Sequence, residues 1–129
     1  MSAEQTTASE SSDVLVSHYC VVRWLPDVTA GEFVNVGVVA FGQGKSLVRL
    51  LNDWTRARAF DPNLPSPEWF ADYAAEVAAT ESIERLRRRT EGMGHAMSSC
   101  QLYGPYVGLA PVEELLSGIA RIFLVEQKS

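Results

Sequence analysis

From residue 14 onward the apolar residues fall into blocks whose spacing alternates between two and three-or-four, and that switch predicts the order of elements. The first block, VLVSHYCVVRWL over residues 14–25, is dense in β-branched and aromatic side chains. It stops at Pro26-Asp27, as a strand entering a turn does. The loop PDVTAG leads to a second strand over residues 32–41, with Val34, Val36, Val38 and Ala40 on one face and Phe33, Val39 and Phe41 on the other. A strand apolar on both faces belongs inside its sheet. Here Asn35 and Gly37 share one face and interrupt it. SLVRLLN reads as a third strand, and Gln43-Gly44 suits a two-residue hairpin turn that needs positive φ. That turn centre sets Phe41 against Ser46, Val39 against Val48, Gly37 against Leu50 and Asn35 against Asn52.

The later blocks carry the helical period. DWTRARAF has Asp53 as its expected N-cap and gives a short helix that Asp61-Pro62 stops. In residues 63–89 the N-cap is Ser66, Pro67 takes the first helical position and Glu68 the first turn. Trp69, Phe70, Tyr73, Ala74, Val77 and Ala78 form the stripe of a helix packed on a sheet, which Ile83 and Leu86 continue after a break near Thr80. The glycine-bearing EGMGHAMSS ends it, CQLYGPYVGLA is a fourth strand, and Pro111 opens a final helix with Val112, Leu115, Leu116, Ile119 and Phe123 on its apolar face. The order predicts an α+β fold: a small, mainly antiparallel sheet of about four strands with two or three helices packed on it. Residues 1–13 contain no apolar run and read as a disordered tail, leaving 14–129 as one globular domain.

Composition narrows the function classes. A net charge of −5 opposes broad binding to nucleic acid or anionic lipid, which both need an excess of Lys and Arg. Charges or prolines interrupt every apolar run before it reaches the roughly 20 residues of a membrane span. Cys20 and Cys100 lie in apolar stretches with no secretory leader, so they are expected as reduced thiols in a cytoplasmic protein.

Several constellations invite a chemical reading. FGQGKS approaches a phosphate-binding loop, but the required first glycine falls at Val39 and a strand, not a helix, follows. His18, Cys20, His95 and Cys100 match zinc in number and not in spacing, so neither metal nor cofactor is expected. Neither cysteine stands in a setting that would activate a thiol. Arg85, Arg87, Arg88 and Arg89 make a dense positive patch at a helix C-terminus, where cations favour the helix dipole and where an anionic partner surface would find a contact. The last set is polar: Arg23 near the end of strand one, with Glu32, Asn35 and Gly37 on strand two. It reads either as a structural network, Glu32 pairing with Arg23, or as a site.

VVRWLPDVTAGEFVNVGVVAF resembles the opening signature of the bacterial domain-of-unknown-function family 3037, with Arg23, Pro26, Asp27, Gly31, Glu32, Phe33, Asn35, Gly37 and Val38 in place. RARAFDPNLP and QLYGPYVGLAPVEELLSGIARIFL resemble the family's arginine-rich helix and its closing strand and helix. The resemblance implies a small bacterial protein without an assigned activity, encoded beside HipA-type kinase-like proteins and acting as an accessory or regulatory partner of one of them. Two function classes follow. One is an interaction module with a protein partner, with a homodimer through open strand edges as a variant. The other is a hydrolase or nuclease using Glu32 as acid/base, with Arg23 and Asn35 as oxyanion or phosphate ligands.

Overall fold

The computed structural model of the chain describes residues 14–124; the expected tail at 1–13 and the last five residues lie outside the described residues. Four strands, β1 (Ser17–Trp24), β2 (Val34–Gly42), β3 (Lys45–Leu50) and β4 (Cys100–Gly108), form one sheet in the order β3-β2-β1-β4. Every pairing is antiparallel. The helices are α1 (Thr55–Phe60), α2 (Pro67–Ala78), α3 (Ile83–Arg89), the single turn α4 (Met93–Ala96) and α5 (Val112–Phe123). The fold is therefore α+β, with a four-stranded antiparallel sheet. Among the described residues no helix is long and apolar enough to cross a membrane.

The hairpin forms where the turn residues place it. Gln43 (φ 52°) and Gly44 (φ 75°) occupy the two positive-φ positions, and Phe41 faces Ser46, Val39 faces Val48 and Gly37 faces Leu50. The ladder ends there, short of the expected Asn35–Asn52 pair, because β2 bulges. Against β1, Val22 faces Gly37 but Arg23 faces Asn35, so Val36 is an extra residue. Side chains directly opposite share a face, and successive ones alternate. Asn35 and Gly37, expected on one face, are thus on opposite faces. A second irregularity sits in β4, where Tyr106 faces Tyr19 and Tyr103 faces Val21, leaving one extra residue in the Gly104–Pro105 segment, whose peptide bond is cis.

Both faces of the sheet are covered. Cys20, Val22, Gly37, Val39 and Leu50 line one, and α2 packs on it through Phe70. The Phe70 ring is fully buried among Trp24, Trp54 and Trp69, with centroids 5.8, 5.4 and 5.1 Å away. Tyr19, Val21, Val38 and Ala40 line the other face, where α5 crosses and Phe123 meets Tyr19 at 6.1 Å. Two covers explain why residues 36–41 of β2 are apolar on both sides and buried.

Several helix ends follow the sequence. Ser66 caps α2, its Oγ accepting the Trp69 N–H at 3.2 Å with Pro67 first in the helix. The break near Thr80 is complete: α3 is a separate helix with its own cap, Ser82 Oγ accepting the Arg85 N–H at 3.1 Å. Asp53 is displaced by one position. Trp54 is the N-cap of α1, while Asp53 Oδ1 accepts the Thr55 N–H at 3.0 Å. The first amide of α5, Val112 N–H, donates at 2.9 Å to Gln43 Oε1 from the distant hairpin tip. Lys45 beside it pairs with Glu113.

Candidate functional site

Because β2 bulges at Val36, the front of the GEFVNVG stretch is turned onto the face that carries Tyr19 and Val21. There the Arg23 guanidinium lies between two rings, 4.1 Å from the Phe33 centroid and 4.3 Å from that of Tyr103. Its Nε donates to Asn35 Oδ1 at 2.9 Å. Tyr103 is held in turn, its hydroxyl donating to Gln101 Oε1 at 2.6 Å, while Gln101 Nε2 donates to Ser98 O at 3.0 Å. Gln101 is buried and faces Arg23 across the β1–β4 ladder. The guanidinium is therefore fixed from three sides. Two aromatic rings stand within 4.3 Å of its Cζ and one amide holds its Nε edge.

Its remaining edge is different. Among the described residues, the Nη atoms of Arg23 have no hydrogen-bond or ion-pair partner. Arg23 is partly exposed, and Phe33 is 43% exposed. Further along the same face Tyr106, 45% exposed, packs on Tyr19 at 5.2 Å. The result is an aromatic strip with one oriented cation in it.

The expected polar set is thus divided. Arg23 and Asn35 meet. Glu32 is exposed and, among the described residues, forms no ion pair with Arg23, so the Arg23–Glu32 pairing is replaced by Arg23–Asn35. Gly37 lies on the opposite face, where a Cβ would come 2.6 Å from Leu50 Cδ2. Its small size accommodates packing there. Gly31, with φ 77°, closes the Pro26–Asp27 turn by donating its N–H to Asp27 O at 3.3 Å. The hydrogen bond from the Thr29 hydroxyl holds the Asp27 carboxyl below its ordinary range.

Phe33 and Tyr103 complete the Arg23 clamp, and by pattern alone each is an ordinary strand residue. A bulge was needed to bring Asn35 beside Arg23, and Tyr103 is eighty residues downstream of Arg23, so no local spacing announced either contact.

The arginine patch on α3 is laced to neighbouring carboxylates: Arg85 to Glu81 at 3.4 Å, Arg88 to Glu84 at 3.6 Å and Arg89 to Glu76 at 3.3 Å. Apart from Arg89, whose side chain is 36% exposed and stands 5.8 Å from the Tyr73 centroid, these groups are largely solvated, and such solvated pairs contribute about 0–1 kcal/mol each. Arg87 is exposed and carries no ion pair among the described residues.

The cysteines are buried, and burial pushes both thiols up to about 12, far from a reactive thiolate near neutrality. His95 Nε2 accepts the Leu102 N–H at 3.2 Å. Burial, with the Arg89 charge acting in the same sense, lowers its pKa. Among the described residues no three His, Cys, Asp or Glu side chains converge as metal ligands.

No curated protein and no solved structure matches the chain. The family model described as "Protein of unknown function (DUF3037)" matches residues 19–107, a span that runs from within β1 to within β4 and includes Arg23, Phe33, Asn35 and Tyr103, and the chain belongs to that family.

Proposed function

We propose that this chain is a cytoplasmic accessory protein that binds a protein partner, with the aromatic strip around Arg23 as its contact surface. The observation that carries the reading is the clamped guanidinium, held by Phe33, Tyr103 and Asn35 with its Nη edge unpaired. Interface hot spots are enriched in Arg and aromatic residues, because rigid rings supply area at low entropic cost and an oriented fork supplies specificity. Rigidity here is built before binding, which lowers the ordering cost of association.

The partner proposed is a HipA-type kinase-like protein, as the family resemblance implies. The hydrolase or nuclease reading lacks a comparable support: Glu32 is exposed and stands apart from any ion pair with Arg23. Pairing with a second copy through an open edge, β3 or β4, is the competing use of the molecule's surface. The edges differ in their protection. β3 presents Lys45 and Arg49, while β4 is interrupted by its bulge and by Pro105, which has no N–H to offer.

Co-expression with the kinase-like product of an adjacent gene tests the reading. Co-purification that Arg23→Glu and Tyr106→Ala both weaken supports it. Failure to associate, or association indifferent to both substitutions, overturns it; a homodimer by light scattering that Arg49→Glu or Val107→Lys dissociates assigns the edges to self-pairing instead.

A further inference from the structure

We infer that the unpaired edge of Arg23 receives the side-chain carboxylate of an acidic residue in a peptide segment of the partner, an inference that rests on the interaction reading above. A guanidinium can meet a carboxylate side-on, through Nε and one Nη, or end-on, through both Nη atoms. Asn35 Oδ1 already holds Nε at 2.9 Å, which leaves the end-on fork with two parallel donors. Phe33 and Tyr103, with centroids 4.1 and 4.3 Å from Cζ, restrict the movement of that fork.

Charge selects a monoanion. One guanidinium opposes one carboxylate, whereas a phosphate bears close to two negative charges at neutral pH and is ordinarily met by several cations. The groups that the Arg23 guanidinium contacts are an amide, a phenol ring and a phenyl ring, so it meets an anion as a single positive charge. The protein's net charge of −5 acts against polyanions in the same sense.

Geometry selects a side chain over a chain terminus. A C-terminal carboxylate is usually captured by a nest of free backbone N–H groups. Arg23 lies on a strand paired on both sides, opposite Asn35 in β2 and Gln101 in β4, so the amides of its own strand belong to ladders. The exposed Phe33 beside the fork would take an apolar residue next to the acidic one.

The test follows the Arg23 Nε–H resonance of the full chain by NMR during titration with capped peptides. The probes are acetyl-Ala-Glu-Phe-amide, its Gln counterpart, acetyl-Ala-Gln-Phe with a free C-terminus, and inorganic phosphate. Saturable shifts of the Arg23 and Phe33 signals by the Glu peptide, at least tenfold weaker with the other three and abolished in Arg23→Gln of unchanged melting temperature, are expected. Equal binding of the Gln peptide, tighter binding of phosphate or the free C-terminus, no saturable shift, or a shift that survives Arg23→Gln overturns the inference. If Arg23→Gln unfolds the chain, Asn35→Asp serves in its place, since a carboxylate beside Nε must compete for the fork and weaken the Glu peptide tenfold or more; unchanged binding in Asn35→Asp overturns the inference equally. A kinase-like partner captured by wild type and Arg23→Gln alike refutes the carboxylate contact and leaves the interaction reading standing. Binding of the Glu peptide with no protein partner does the reverse.

Discussion

Arg23 reaches Asn35 only because β2 holds one residue more than β1 between the Val22–Gly37 and Arg23–Asn35 pairs. In a regular ladder that kept Val36, Val36 would face Arg23 and Asn35 would stand on the face of Gly37 and Val39, away from the guanidinium. The site and the bulge are one feature, and the fully buried Val36 ties that feature to the core. Asn35→Ala should therefore leave the fold standing, at a cost of about 1 kcal/mol for the lost hydrogen bond, while freeing the Arg23 plane. Thermal melting, together with faster solvent exchange of the Arg23 Nε–H in the variant than in wild type, checks this.

Gly104 has a more severe constraint than Gly37. Its φ is 125°, and a Cβ would approach the Tyr19 carbonyl oxygen to 2.8 Å, a backbone atom that no rotamer change can move aside. Gly104→Ala is expected to cost about 2–4 kcal/mol, combining the unfavourable backbone region with the clash. At Gly37 the nearest atom is the end of the Leu50 side chain, so Gly37→Ala should cost about 1–2 kcal/mol. Urea denaturation of both variants ranks them, and a reversed order would contradict the account.

Trp24 donates from Nε1 to Asp61 Oδ2 at 2.8 Å, and Asp61 Oδ1 accepts the Asn63 N–H at 2.9 Å. The pair joins β1 to the end of α1, with Asp61 9% exposed. Asp61→Ala strands both donors and should destabilise by about 1–3 kcal/mol. A shift in the near-ultraviolet tryptophan spectrum should accompany the lower melting point.

His95 makes stability depend on pH. Its pKa lies below the ordinary 6.5 when folded, chiefly through burial, and a proton on Nε2 would displace the Leu102 N–H. The unfolded chain thus takes up this proton first as pH falls. The contribution is complete above about 6.5 and declines as the pH drops below that value. His95→Gln keeps an acceptor for Leu102 without titrating, so the difference in melting temperature between variant and wild type should grow in the variant's favour from pH 7 to pH 5.

The two thiols offer a direct probe of the core. With both pushed up to about 12 by burial, Cys20 and Cys100 should resist iodoacetamide at pH 8 in the folded protein and react fully in guanidinium. Rapid modification of the native chain, read by mass spectrometry, would contradict the placement.

The sequence alone determined the elements whose cause is local. Positive φ at Gln43 and Gly44, the Ser66–Pro67 helix start and the Asp61–Pro62 stop depend on residues within a few positions of each other, and each lies where the pattern put it. The two-sided apolar run of β2 likewise announced a strand that lies inside its sheet. Tertiary structure decided what depends on distant partners. Asn35 changed faces because strand pairing, which alternation along one strand cannot report, absorbed Val36 as a bulge. Gln43, read as a turn residue, also caps α5 from sixty-nine residues away. Arg23 became an oriented donor because Phe33 from one neighbouring segment and Tyr103 from another meet its guanidinium, a contact that strand pairing on both sides of β1 brings about.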